Sequence, residues 1–363
     1  MQLSRREFLK AAAALGITAA EFSKIQEAVA GNGDPPVIWL QGQGCTGCSV
    51  SFLNSVYYAT VDSLLLNTIS VEYHSTVMAA AGDFAVSAGS IVRPSRTEIA
   101  ALADSWLASG SNLPLDLNGD SKVNWLDYAL MSKRGYVLIV EGAIPTGSEG
   151  LFCTVGGEMT MLDALRVFSQ YASAIIAVGT CGCYGGVSAG APNNTTAKGT
   201  KDALDYLGIS KPVINIPGCP AHPDWLVGTI SYFLVNGHAP SLDSSGRPTD
   251  YFGSLVHTNC QNLSSYNSLY ASRVSHAGGQ SCLTCHSRSD SDVPNPRTLG
   301  MSGCLYALNC KGRQTYADCS TRKWNSPGTS QNGVNWCVGA GAPCHGCTQP
   351  NFPDGMSPFY TLG

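Results

Sequence analysis

Fifteen cysteines stand in 363 residues, and their spacing decides what chemistry they can do. Cys45-Thr46-Gly47-Cys48 sets two thiols three positions apart where a helix opens just after a strand. Two thiolates so placed can hold two irons of an iron–sulfur cubane, with the positive end of the helix facing the negative cluster. The same spacing also fits a redox disulfide or half of a zinc site. Cys153 follows the loop Glu141-Gly142-Ala143-Ile144-Pro145-Thr146-Gly147, and Cys219 lies inside Ile216-Pro217-Gly218-Cys219-Pro220-Ala221-His222-Pro223. Nine further cysteines fall between Cys260 and Cys347.

Three other patterns carry chemistry. Cys282-Leu283-Thr284-Cys285-His286 is a c-type haem attachment motif, with His286 as one axial ligand and His276 as a candidate for the other. A disulfide or a free thiol pair is the plain alternative. Asp116, Asn118, Asp120, Lys122 (through its carbonyl) and Asp127 occupy positions 1, 3, 5, 7 and 12 of a calcium loop over 116–127, with apolar Val123 at position 8. Ser121 stands where the usual glycine would be and Asp127 closes the loop in place of glutamate; a solvated acidic loop is the alternative. Gly42-Gln43-Gly44-Cys45-Thr46-Gly47 matches a dinucleotide fingerprint. Cys45 would stand in the pyrophosphate approach, so the thiol reading takes precedence.

The elements that must position these groups alternate. Val37–Leu40, Ser70–Tyr73, Tyr136–Glu141, Ala174–Val178 and Val213–Ile216 read as strands; Phe52–Leu66, Thr97–Ser109, Met159–Tyr171 and Thr200–Tyr206 read as helices. That alternation predicts an α/β domain over residues 31–235, a flavodoxin-like doubly wound parallel sheet. Ligands of such sheets bind outside the carboxyl ends of the strands, where Cys45, Cys153 and Cys219 all fall. From about residue 236 to 363 the texture turns to Gly, Pro, Ser and Asn, predicting a small irregular domain that needs cross-links to fold. Residues 1–30 read as an export leader: Arg5-Arg6 begins a twin-arginine signature, an apolar run follows, and Ala28-Val29-Ala30 offers a cleavage site. Twin-arginine export carries folded proteins, which suits a cofactor inserted before export. Charged residues make up 13%, about half the usual share, which fits a chain covered by a partner. The net charge of −4 gives no basic surface for nucleic acid, and no run of eighteen apolar residues is present to span a membrane.

Taken together, Gln41–Cys48, Glu141–Cys153 and Pro217–Pro220 resemble the proximal-cluster motifs of the NiFe-hydrogenase small subunits. The resemblance continues through His257-Thr258-Asn259-Cys260, Gly303-Cys304, Cys310, Cys319, Asn335-Trp336-Cys337 and Pro343-Cys344-His345-Gly346-Cys347. It implies a proximal 4Fe-4S cluster on Cys45, Cys48, Cys153 and Cys219, and a distal 4Fe-4S cluster on His257, Cys260, Cys304 and Cys310. Many relatives have proline where Cys337 stands. Cys319, Cys337, Cys344 and Cys347 therefore imply a medial 4Fe-4S cluster, with a 3Fe-4S cluster and a spare Cys337 as the alternative. Gly44 and Val50 replace acidic residues of many relatives. Gly47 and Glu158 stand where oxygen-tolerant relatives carry extra cysteines, so an ordinary cubane is implied. Cys181 and Cys183 resemble a family loop whose cysteine is not a ligand. The implied function is electron relay from H2 oxidation at the NiFe centre of a large subunit to a cytochrome c or a membrane quinone-linked acceptor, in the periplasm. A stand-alone ferredoxin-like carrier and a disulfide-stapled secreted binding protein are the rival readings.

Overall fold

The computed structural model of the chain describes residues 36–56, 69–74, 136–155, 159–268, 300, 303–326 and 333–360. The expected leader 1–30, the expected helix Thr97–Ser109, the expected calcium loop 116–127, Glu158, His276 and the Cys282–His286 motif lie outside the described residues.

Five strands form one parallel sheet: β1 (Pro36–Gln41), β2 (Ser70–His74), β3 (Tyr136–Glu141), β4 (Ala172–Val178) and β5 (Ile214–Ile216). Their spatial order is β2-β1-β3-β4-β5, the flavodoxin-like arrangement. Central parallel strands are covered on both faces and so run apolar throughout. In β1, Ile38 and Leu40 enter one core while Val37 and Trp39 enter the other; in β3, Leu138 and Val140 oppose Val137 and Ile139 in the same way.

The first core is closed by α2 (Met161–Tyr171), which buries Met161, Leu162, Ala164, Leu165 and Phe168 along one face. Its N-cap Thr160 accepts the Asp163 amide at 3.1 Å and donates its hydroxyl to the Asp163 carboxylate at 2.7 Å. This helix starts two residues later than the sequence suggests, because Met159–Thr160 pairs with Thr154–Val155 in a short antiparallel ribbon. α4 (Thr200–Tyr206) matches expectation.

The second core is closed by α1 (Gly47–Leu53) and α5 (Pro223–Asn236). α5 has proline at its start, a cap from His222 to the Asp224 amide at 3.1 Å, and Gly237 in the left-handed region at its end. The apolar pattern read from the sequence does not announce it, since Gly228 and the branched Thr229, Ile230 and Val235 blur a helical stripe. The six-residue α3 (Gly179–Tyr184) is likewise unannounced.

The described residues between 249 and 360 form short helical turns and loops. Tyr251, Phe252, Val256, Leu305, Leu308, Ala317, Trp336 and Val338 join Trp39, Phe52 and Trp225 in one continuous cluster. The irregular segment is thus built onto one face of the sheet, with Arg322 linking the two parts. Its guanidinium pairs with Asp224 of α5 at 3.2 Å and with Asp318 at 2.8 Å.

Candidate iron–sulfur sites

At the switch point between β1 and β3 the chains leave the sheet side by side. The Gly42 amide donates to the Glu141 carbonyl at 2.7 Å, and Gln43 and Ala143 exchange hydrogen bonds. A β-carbon on Gly42 would lie 2.4 Å from the Ala143 carbonyl oxygen, so only glycine permits this crossing. Cys45 and Cys48 follow at once. Glu141, at the end of β3, is buried beneath them. One carboxylate oxygen accepts the amides of Cys48 (3.1 Å) and Ser49 (3.2 Å); the other accepts the Trp39 indole at 3.0 Å and the Ser49 hydroxyl. The amides expected to face an anion at the start of α1 are therefore bonded to Glu141 instead. The Cys48 sulfur receives the Ala221 amide at 3.5 Å.

The thiols gather in three neighbouring sets. In the first, Cys48 lies within electrostatic reach of Cys181 and Cys219, and Cys219 within reach of Cys181 and Cys45. Burial, then the Glu141 carboxylate, pushes the Cys48 thiol far above its ordinary value. Although Cys219 is exposed as a residue, its thiol is pushed up to about 11, by desolvation first and then by Cys181 and Cys45. Cys153 is not brought here. It packs against the core on the opposite face of the sheet, its carbonyl accepting the Met161 amide at 2.8 Å, and burial alone raises its thiol. Cys181, on α3, is the further thiol within reach of both Cys48 and Cys219. The geometric signal is the distance past a strand end: Cys45 comes four residues after Gln41, Cys181 three after Val178 and Cys219 three after Ile216, but Cys153 comes twelve after Glu141.

The second set is Cys260, Cys304 and Cys310, each within reach of another. Burial and then its two neighbours push Cys304 up to about 11. Amides converge on these sulfurs, from Asn262 to Cys260 at 3.5 Å and from Cys344 to Cys310 at 3.2 Å. His257 is tied alongside: its amide donates to the Gly312 carbonyl at 3.0 Å, and its carbonyl accepts the Cys260 amide at 3.2 Å. Burial first, and the Arg313 charge second, hold its imidazole below the ordinary value.

Cys319, Cys337, Cys344 and Cys347 make the third set. Cys319 is raised by burial and then by Cys347, Cys344, Asp318 and Cys337, so the structure gathers all four. Cys347 is pushed up to about 12, by burial first, and feels both Cys337 and Cys219. Cys344 feels Cys310. The third set therefore stands between the first and the second. A hydroxyl joins the first set to it: Thr180 accepts the Gly218 amide at 2.9 Å and donates to the Cys347 carbonyl.

All thirteen cysteines among the described residues are free thiols. Among these residues no three of His, Cys, Asp and Glu close round a single metal ion. Beside the first set, Gly47, Val50, Val56, Pro220 and His222 line a groove of about 340 Å³, with Val50 and Val56 exposed.

Two families match the chain. Residues 45–233 fit the one described as NADH ubiquinone oxidoreductase, 20 Kd subunit, and residues 252–360 fit the C-terminal family of NiFe/NiFeSe hydrogenase small subunits. The periplasmic NiFeSe hydrogenase small subunit of Desulfomicrobium baculatum is 38% identical over 99% of both chains. The hydrogenase-2 small chain of Escherichia coli K12 is 33% identical over 96% of this chain and 77% of its own. The solved structure of a reduced, active Ni-Fe-Se hydrogenase from D. baculatum superposes with a TM-score of 0.65 at 36% identity, covering 91% of this chain and 100% of that one.

Proposed function

The chain belongs to the NiFe-hydrogenase small-subunit family, and on that premise we propose which of its residues hold three iron–sulfur clusters. As a small subunit it relays electrons within a hydrogenase heteromer whose NiFe site lies on the large subunit. The stand-alone carrier finds no support among the relatives.

The observation that carries the reading is the succession of thiol sets, first to third to second. The donor chemistry fits iron–sulfur clusters: thiols in fours, or three thiols with an imidazole, and main-chain amides aimed at the sulfurs of Cys48, Cys260 and Cys310. Cys45, Cys48, Cys181 and Cys219 would hold the proximal cluster, with Cys181 in place of Cys153. Cys319, Cys337, Cys344 and Cys347 would hold a medial 4Fe-4S cluster. His257, Cys260, Cys304 and Cys310 would hold the distal one. Bound there, each cluster supplies a one-electron store.

The chain's own work is to hold these thiols. Burial keeps water from Cys48 and Cys344 and, by desolvation first, raises both thiols well above their ordinary value. The amide donors stabilise the resulting negative sulfurs. Glu141 fixes the opening turn of α1, and a depressed His257 keeps a neutral nitrogen free to ligate. A neutral imidazole in place of a thiolate raises the potential at the distal end.

Exposed Val50 and Val56 lining the groove form, in this reading, the face hidden by the large subunit. Twin-arginine export to the periplasm rests on Arg5-Arg6 and Ala28–Ala30, and on the periplasmic names of relatives. The acceptor is a cytochrome c or a quinone-linked membrane partner. Two sequence motifs add a c-type haem on Cys282, Cys285 and His286, and calcium in the loop 116–127; a pyridine-haemochrome assay and calcium analysis of the purified complex test them.

The central test is iron and acid-labile sulfide in the purified heterodimer carrying Cys181→Ala or Cys153→Ala. The expected result is loss of one cluster's iron, about four atoms, in the first variant and a full complement in the second. The opposite pattern overturns the proximal assignment.

A further inference from the structure

Beside the second thiol set stands a charge that holding clusters does not require. Arg313 ends the turn Lys311–Arg313, three residues after Cys310, and is exposed. Its guanidinium carbon lies 5.4 Å from the ring centre of Tyr266 and 5.9 Å from that of Tyr306. The two rings meet edge to face at 5.5 Å, and Tyr266 meets the His257 imidazole edge to face at 4.6 Å. Such a cation over two aromatic faces is held in place rather than left to sweep through solvent.

The scaffold under the stack is the site itself. The Tyr266 amide donates to the Asn262 carbonyl at 3.1 Å, and Asn262 binds the Cys260 sulfur with its amide and the Gly303 carbonyl with its side chain at 2.6 Å. On the other side the His257 amide holds the Gly312 carbonyl, one residue before Arg313. Among the described residues Arg313 makes no ion pair that would cancel its charge.

We propose that Arg313, clamped by Tyr266 and Tyr306, is a positioning residue for electron exit: its fixed positive charge favours the reduced state of the centre on His257, Cys260, Cys304 and Cys310. The inference rests on the assignment of a cluster to those four residues. One electron enters and no bond is made or broken; the added negative charge is what the guanidinium stabilises. The effect is moderate, because the group is exposed and screened.

The experiment is an EPR-monitored redox titration of the purified heterodimer, with iron counted in every sample. Arg313→Gln removes the charge, and Arg313→Lys keeps it. The expected result for Arg313→Gln is a distal centre that holds its electron about three- to tenfold less well. At 59 mV per tenfold for one electron, the potential falls by roughly 30–60 mV. Arg313→Lys falls by less than half as much, and raising the salt concentration narrows the gap between wild type and Arg313→Gln. With iron equal in all samples, an unchanged potential in Arg313→Gln overturns the proposal, and so does an equal fall in both variants. A wild-type protein without a distal signal overturns the cluster assignment itself, a different result from an unmoved potential.

Discussion

Gly179 and Gly208 offer a matched pair of perturbations. Both have φ in the left-handed region, +75° and +73°. A β-carbon there costs roughly 1–2 kcal/mol, and about 0.4–1 kcal/mol of that is returned by the stiffer unfolded chain. Gly208→Ala meets nothing within 4 Å, so it should lose only that balance, on the order of 1 kcal/mol. Gly179→Ala loses the same and more. Its new carbon would lie 2.4 Å from the Cys48 sulfur, whereas nonbonded heavy atoms rest at about 3.5–4 Å. The sulfur must retreat by more than about 1 Å, breaking the 3.5 Å bond from the Ala221 amide and adding roughly 1–3 kcal/mol of overpacking. Iron content, the proximal EPR signal and the thermal midpoint of the heterodimer read the difference. Gly208→Ala should keep all its iron with a small drop in midpoint, while Gly179→Ala should lose proximal iron as well. If the two variants behave alike, Cys48 does not press on Gly179 and the geometry of the first set is wrong.

Two further outcomes follow from the same structure. Replacing Cys337 with serine should remove about one iron per chain and give the oxidised protein an isotropic three-iron EPR signal; an unchanged iron count and no such signal would remove Cys337 from the medial set. Burial holds His222 down to about 3, helped by the Arg322 charge and opposed by the bond to the Lys323 carbonyl. Its folded value lies below the ordinary 6.5, so its stabilisation is complete above pH 6.5 and is lost as pH falls towards 3, at roughly 1.4 kcal/mol per pH unit. Asp224 runs the other way: burial raises it to about 6 against the pull of Arg322, so it returns some stability as pH falls from 6 to 3.8. The midpoint of His222→Gln should therefore fall less steeply with acid than that of wild type, and parallel curves would exclude the role of His222.

Much of the sheet was legible because buried parallel strands are continuous apolar runs, and Tyr136–Glu141 was read to the residue. What failed was reading distance along the chain as distance in space. Cys153 and Cys181 both follow strands, but the loop after β3 spends residues 144–150 crossing towards α2 and delivers Cys153 to the far core. Cys181 leaves β4 directly. The pull of the Glu141 carboxylate on the amides of α1 was equally hidden, because it joins residues 93 and 92 positions apart. The neighbourhood of Cys337, by contrast, follows from its sequence context, since Trp336 just before it is buried in the same core cluster as Cys344.

The Thr180 hydroxyl has a consequence for the order of events during synthesis. It spans 167 residues to reach Cys347. All four thiols of the first set, Cys45 to Cys219, emerge long before that partner exists, so the sheet and its first set can close while the rest of the chain is still being made. The third set cannot close until Cys347 arrives and the hydroxyl finds its carbonyl. Maturation then runs from the sheet outwards. A chain arrested before residue 344 would present Cys319 and Cys337 without Cys344 and Cys347, a chemical mark by which an unfinished chain differs from a finished one.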